Sequence, residues 1–353
     1  KKALHEDFPF LQKDLTAIYM PSIGVVNGEH LTIAMAENAI QNGVQLSLNT
    51  IVNGFTVDNE VITAVHTNKG TVIPRIVINC AGTFCEHLAK MANDHFYGTY
   101  TARATVGEFN VPENHTFIAQ SAATQGEVGA AVFQNNKAVL CSNAVLTAKR
   151  ENASCHETEY KSICEQWQTA IPSLKNASLA SSHVGLLTHS YEDDYIVANG
   201  KYTKNIIHAA GIGEGGFTAS TAIALDLVDM TINMLDSAVQ KTRLYNPKLE
   251  KPINFNSLDF SEKSALISKD INYSKVICKC NNITRGDIVS ALKGSVPCES
   301  VQAVMRRTNA GKGLCNGSHC ALEIAKIISE ETHLPLRFVL LSGDYSELGG
   351  LLV

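Results

Sequence analysis

Four of the ten cysteines constrain this chain more than any other feature. Cys278 and Cys280 form a C-x-C pair and Cys315 and Cys320 a C-x4-C pair, and the text between them includes a helical stretch, Thr284 to Leu292. Thiolates are soft ligands for iron or zinc, and two loops bring four sulfurs together if the helices between them fold back on each other. Zinc stays open as an alternative, although structural zinc sites usually take each ligand pair from a knuckle with two to four intervening residues. His319, between the last two cysteines, invites a mixed histidine–cysteine site, but with four thiols present it reads as a non-ligand.

At 353 residues and 45% apolar content the chain is long enough for two domains and a third small one. Its formal net charge of −5 and the lack of a basic block argue against nucleic acid as a partner. No apolar run reaches transmembrane length. The start, KKALHEDFPFLQKD, lacks a Met and an apolar signal core, so it reads as the middle of a longer polypeptide. Cys80, Cys85, Cys141, Cys155, Cys164 and Cys298 are scattered in ordinary contexts, as in a reducing, cytoplasmic protein. The sequons at Asn282 and Asn316 are then accidental.

Along the chain, Glu29 to Asn42 has helical periodicity closed by Gly43, and VQLSLNT, IVNGFTV, VITAVHT and TVIPRIVINC read as short strands. VINCAG, Val77 to Gly82, is a strand ending in small residues that permit close approach. From 99 to 195 alternating strands surround one helical stretch, HETEYKSICEQWQTAI, in which Trp167 reads as packing. Asp193-Asp194 reads as a turn before the strand YIVANG, and NIIHAAG is a further strand. TASTAIALDLVDMTINML is a strong helix with Thr218 or Ser220 as N-cap. His183, His189 and His208 are acid/base candidates that read first as surface or satisfied core histidines. Within this text Gly211, Gly213 and Gly216 spell G-x-G-x-x-G. No second strand with a ribose-binding acid follows the helix, so the run does not read as a dinucleotide fingerprint. It reads as a glycine turn into a helix.

CKCNNITRGDIVSAL, MRRTNAGKGLC and the C-x4-C pair resemble the bacterioferritin-associated-ferredoxin-like [2Fe-2S] domain over about 272–333. The resemblance implies Cys278, Cys280, Cys315 and Cys320 as cluster ligands. Asn316, Ser318 and His319 depart from the family's usual Gln-Gly-Gly-Phe, which alters the surroundings of the cluster and not its ligands. Lys279, Arg285, Arg306, Arg307 and Lys312 make this region basic, read as a solvated face. Upstream, YMPSIGVVNGEHLTIAMAENAIQNGVQLSLNTIV, VINCAG, HAAGIGEGGFTASTAIA and LYNPKLEKP resemble flavin-dependent oxidoreductases of the glycerol-3-phosphate dehydrogenase and D-amino-acid-oxidase-like superfamily. Paired with the cluster domain, they look most like the anaerobic glycerol-3-phosphate dehydrogenases.

That resemblance implies a mixed α/β (α+β) chain: an incomplete Rossmann-like FAD-binding domain, an antiparallel-sheet substrate domain and a small α-helical [2Fe-2S] domain. The segments expected are FAD-binding with a β-meander at 1–98, substrate at 99–195, FAD-binding again at 196–245, linker at 246–271, cluster domain at 272–335 and tail at 336–353. It implies FAD contacts from Val52, Ala81, Gly82, Gly211, Ile212, Gly213, Glu214, Gly215, Gly216, Phe217 and Thr218. In the family the βαβ unit that binds ADP lies roughly 100 residues upstream of where this text begins, and FAD binding is expected to need it.

The implied reaction oxidises an alcohol or amine carbon of a small molecule, and electrons then leave singly through the cluster to a redox partner. Glycerol 3-phosphate is the first expected substrate; a 2-hydroxy acid such as 2-hydroxyglutarate, or an amine, is the alternative, and a non-catalytic electron-transfer subunit is another. Three departures bear on substrate. Leu187 stands where the family's anion-binding arginine is expected, Val106-Gly107-Glu108 replaces Arg-Gly-Glu, and Glu214-Gly215 replaces Ser-Pro. Leucine cannot bind phosphate or carboxylate bidentately.

Overall fold

The structure is a computed structural model that describes residues 6–13, 22, 24–112, 117–120, 130–134, 136–142, 144–213, 215–235, 245–250, 252–313, 315–343 and 346–348. Glu214 lies outside the described residues. Its elements in order are α1 (Gly28–Gln41), β1 (Val52–Asp58), β2 (Val61–Thr67), β3 (Gly70–Val72), β4 (Val77–Asn79), α2 (Cys85–Met91), β5 (Thr99–Asn110), β6 (Phe117–Gln120), β7 (Ala130–Gln134), β8 (Lys137–Cys141) and β9 (Val145–Thr147). There follow α3 (Glu157–Gln168), β10 (Ser178–Ser190), β11 (Ile196–Asn199), β12 (Ile206–Ala210), α4 (Gly216–Leu235), α5 (Phe260–Lys269), β13 (Val276–Cys278), β14 (Ile283–Thr284), α6 (Arg285–Leu292), α7 (Val301–Thr308) and α8 (Ala321–Thr332). The mixed α/β class is as expected. Among the described residues no helix is long and apolar enough to cross a membrane.

The chain divides into two compact units, one of residues 1–25 and 48–240, the other of 26–47 and 241–353. In the first, β1-β2-β3 is an antiparallel meander whose first turn uses the left-handed Asn59 and Glu60. The large antiparallel sheet runs β10-β5-β8-β7-β6, with β9 also on β5. Alternation on β5 and β8 sends Phe109 and Leu140 inward to Phe133, and α3 closes that core with Ile163 and Trp167. Trp167 is therefore packing. The third sheet, β11-β12-β4, contains a parallel pair, β12 with β4, and β12 is buried along its whole length, the pattern of a strand covered on both faces. Asp193, at φ +55, makes the turn into β11.

Two local expectations are corrected. VQLSLNT forms no strand: Val44, Leu46 and Leu48 alternate but are all exposed, and β1 starts only at Val52. Alternation without a face to bury against does not make a strand. Thr218 and Ser220 do not cap α4, because Gly215 turns the chain at φ +79 and the helix begins at Gly216; Ser220 Oγ donates instead to the Phe217 carbonyl at 2.8 Å.

In the second unit, α6, α7 and α8 surround a core of Ile277, Ile288, Val304, Ile324 and Ile328. Thr284 caps α6 through a reciprocal box with Asp287, and Asn309 ends α7 in the left-handed conformation. Within 246–271, α5 carries its own capping box, Asp259 with Glu262. Helix α1 belongs to this unit: the Asn42 side chain donates to the Asn246 carbonyl at 2.9 Å, and Glu29 pairs with Lys312 at 2.6 Å.

Candidate functional sites: a glycine loop and a four-cysteine centre

The first site is built where β12 runs out. Gly211 turns the chain at φ +64, and a Cβ there would lie 2.9 Å from both the Cβ and the backbone nitrogen of Ser190. At Gly213 a Cβ would enter the His189 ring, 2.1 Å from its nearest atom. Only glycine allows β10 to approach this closely. Burial pushes the Cys85 thiol above its ordinary pKa, with the backbone of Gly211 acting in the opposite sense, and Cys85 packs against Ala210. Past the loop, the 20-residue α4 has no acid in its first turn, so its N-terminal N–H groups face no intrahelical anion.

A cavity of about 410 Å³ borders the loop. Of the residues expected near flavin, Gly82, Gly211, Ile212 and Gly216 line it, along with Cys80, Leu186, Thr188 and Leu227. Ala81 adjoins this wall, its N–H 3.3 Å from Asn79 Oδ1. Phe217 and Thr218 are exposed on the first turn of α4, Gly215 is exposed before it, and Val52 opens the separate meander sheet. Leu186 and Thr188 pair with Arg103 and Thr101 on β5, whereas Leu187 pairs with Ala102 and by strand alternation faces the other way. The Arg103 guanidinium is taken up by Glu159 and the Ser154 carbonyl, and Glu108 by Lys137. Thr101 Oγ1 is buried without a hydrogen-bond partner among the described residues.

The three histidines separate cleanly. His183 is exposed on β10, His189 stacks on Tyr100 at 5.4 Å between centroids, and His208 is wholly buried beside Asp94. Burial pushes the His208 imidazole below its ordinary pKa, although Asp94 acts in the opposite sense.

The second site lies in the cluster-like unit. Cys278 ends β13, Cys280 follows in the turn, Cys315 opens the next turn and Cys320 stands at the N-terminus of α8. The sulfurs of Cys280 and Cys315 are 3.7 Å apart, and Cys278 and Cys320 lie together in the core of the unit. Cys278 and Cys320 are buried, whereas Cys280 is exposed. The backbone N–H groups of His319 and Gly317 hold the Cys315 thiol below its ordinary pKa; burial first, and then Cys278, pushes Cys320 up to about 11. His319 itself is exposed. Among the described residues no three Cys, His, Asp or Glu side chains converge on one point. An all-thiol set arranged as two pairs suits a two-iron cluster better than one zinc ion with four sulfurs about a point. Of the basic residues here, Arg306 and Lys312 face Glu29, and Arg285 faces Glu330 and Glu331.

Gly313 forms the wall of this centre: a Cβ there would sit 2.3 Å from Cys280 Cβ and 3.1 Å from its sulfur. Gly313→Ala is therefore expected to displace Cys280 and lower iron content per chain by about half or more, while β13 and α8 stay folded. Iron and sulfide analysis against the far-ultraviolet spectrum checks this. Full iron content in the variant would refute it.

Residues 1–230 match the family described as FAD dependent oxidoreductase, and residues 276–330 match the BFD-like [2Fe-2S] binding domain. The chain belongs to the FAD dependent oxidoreductase family and carries a BFD-like [2Fe-2S] domain. It is 28% identical over 328 residues to the glycerol 3-phosphate dehydrogenase of Caloramator mitchellensis, a match that takes in 89% of this chain and 66%, just under two thirds, of that relative. Among solved structures, glycine oxidase from Bacillus cereus superposes with a TM-score of 0.57 at 21% identity, covering 69% of this chain and 67% of that one. The FAD-bound, dithionite-reduced L-α-glycerophosphate oxidase of Mycoplasma pneumoniae gives 0.52 at 19% identity, covering 62% and 59%. These two likenesses establish the fold.

The buried Asp94–His208 pair and the packing of Cys85 on Ala210, beside the loop, carry no local sign in the sequence. Cys85 looked like one more scattered thiol, and nothing local marks it as the partner of a loop so far along the chain.

Proposed function

We propose that this chain is part of a flavin and iron–sulfur dehydrogenase that oxidises a CH–OH carbon, with glycerol 3-phosphate as the first substrate to test. One observation carries the reading: a cofactor-type glycine loop beside a cavity, and a four-thiol centre, occur in one polypeptide. The glycerol 3-phosphate dehydrogenase relative supports the substrate. Ala81, Gly82 and the run from Gly211 to Thr218 would hold the flavin, with Val52 on its outer side; Cys278, Cys280, Cys315 and Cys320 would hold the cluster. FAD supplies a two-electron acceptor, and a [2Fe-2S] centre passes electrons one at a time to an acceptor protein or small molecule. The small residues let a planar ring approach, and the open end of α4 favours negative charge at its edge. The exposed edge at Cys280 offers an exit for electrons. The ten free thiols fit a cytoplasmic, reducing compartment.

A second reading, an amine or uncharged hydroxy substrate, is favoured by Leu187, which stands where the resemblance implies an anion-binding arginine, and by Leu186 and Thr188, the uncharged residues that β10 presents to the cavity. Anaerobic addition of glycerol 3-phosphate to the flavin-loaded, full-length protein is expected to bleach the flavin band and then the cluster band. Bleaching by amino acids or amines alone would favour the second reading. Unchanged absorbance with phosphorylated polyols, hydroxy acids and amines alike would leave an electron-carrier subunit.

A further inference from the structure

Beneath the glycine loop lies a set of buried polar side chains that the proposed reaction does not use. Asp94 and His208 are wholly buried, and Asn79 and Tyr97 nearly so. Asp94 accepts from the backbone N–H groups of Lys201, Tyr202 and Thr203, the first at 3.2 Å and the last at 2.9 Å, and from His208 Nε2 at 2.9 Å. With Nε2 donating, His208 Nδ1 is left as a single acceptor. Two donors compete for it, the Tyr97 hydroxyl at 3.0 Å and Asn79 Nδ2 at 3.2 Å. Both also reach the Cys85 carbonyl, Tyr97 at 3.2 Å and Asn79 at 2.8 Å. The donors and acceptors are thus paired, and the set converges on Cys85, which packs against Tyr97 and against Ala210, the last residue of β12 before Gly211.

An apolar core of the same volume is often as stable as a buried polar network and needs no exact geometry. What a satisfied network adds is position, because each hydrogen bond fixes a direction as well as a distance. Here the directions pass from the 201–203 turn, through β12 and α2, to the first residue of the loop. The packing supports this: Phe96 meets the His208 ring edge-on at 5.7 Å.

We infer that Asp94, His208, Tyr97 and Asn79 are positioning residues that fix the start of the glycine loop, Gly211–Gly213, through β12 and the packing of Cys85 on Ala210, and so set how closely a bound cofactor ring approaches it. The part about the loop stands on its own; the part about the ring rests on the flavin reading above.

Amide hydrogen exchange on the full chain tests the first part. Tyr97→Phe and His208→Leu are expected to speed exchange at Gly211 and Gly213 by about tenfold relative to β8, with His208→Gln, which keeps a donor and an acceptor, recovering most of the protection. Phe133→Leu, in the core under α3, controls for stability lost elsewhere and is expected to leave the loop unchanged. Exchange that rises uniformly with global instability in all variants, or no recovery with His208→Gln, would overturn the positioning role. In the flavin-loaded protein the same variants are expected to shift the flavin absorption bands. Faster loop exchange with an unmoved flavin spectrum would keep the positioning role and overturn the placement of flavin on this loop.

Discussion

Replacing Cys320 with serine is expected to remove the visible absorption of the purified protein and to lower the unfolding midpoint of the cluster-bearing unit by more than any other single cysteine change. Cys320 is 1% exposed, and together with Cys278 it belongs to the hydrophobic core of that unit. Its sulfur is a core atom as well as a proposed ligand. A serine hydroxyl is a hard, high-pKa group that does not replace a thiolate on iron. Ligand binding to such a small unit is folding free energy, so the loss is on the order of several kcal/mol. Cys298→Ser separates the two roles. Cys298 is also buried in this core and its thiol is pushed up by burial, but it is not among the proposed ligands. Its serine variant is expected to cost about 1–3 kcal/mol for the buried hydroxyl and to keep full colour. Anaerobic absorption spectra, iron and sulfide content and thermal melts of both variants decide the matter. A Cys320→Ser protein with wild-type iron, or a colourless Cys298→Ser protein, would remove the ligand assignment.

Much of this was readable from sequence where the controlling interaction is local. The C-x-C and C-x4-C spacings stand out because ligand chemistry demands the residue type itself, and the Thr284–Asp287 box marks the start of α6 within four residues. Strands β5, β7 and β8 announce themselves by alternation against a face that exists. The glycine run fails as a dinucleotide fingerprint through its own context, the absent second strand, and that too is local. What was not readable depends on distant partners. Val44, Leu46 and Leu48 look like a strand until their exposure shows that nothing covers them. The side of β10 that faces the cavity depends on its register with β5, which puts Leu186 and Thr188 there and Leu187 opposite. Asp94 and His208 meet across 114 residues, so neither carries a local sign of the other. Helix α1 was legible as a helix, but its grouping with residues 241–353 was not.

Glu86→Gln is expected to destabilise the other unit at neutral pH and to flatten its response to acid. Glu86 sits on α2, 7% exposed, with Lys90 at 2.6 Å, Arg150 at 2.5 Å and the N–H and hydroxyl of Thr99 each at 3.0 Å. Burial alone would raise its carboxyl pKa. Lys90, Arg150 and Thr99 outweigh that and hold it far below its ordinary value of 4.5. The group is therefore charged in the folded state under conditions where the unfolded chain would protonate it. Stabilisation from a depressed carboxylate is complete above the unfolded pKa and is lost as pH falls toward the folded one. Wild-type stability should thus decline from about pH 4.5 downward on this account. Glutamine cannot titrate, and it leaves Arg150 near Thr99 and Thr83 without its counter-charge. The cost at pH 7 should be about 2–4 kcal/mol, below that of a fully buried pair because Lys90 is half-exposed. Below about pH 4.5 the two curves should begin to draw together, since the unfolded glutamate takes up a proton while the folded carboxylate stays charged; they meet only near its far lower folded pKa. Glu157→Gln is the contrast: its partner Lys161 and its own carboxylate are solvent-exposed on α3, and the curves should overlie at every pH. Urea unfolding of the three proteins from pH 3.5 to 7.5 measures this. Parallel curves for wild type and Glu86→Gln across that range would show that the charge of Glu86 contributes nothing that its shape and remaining hydrogen bonds do not.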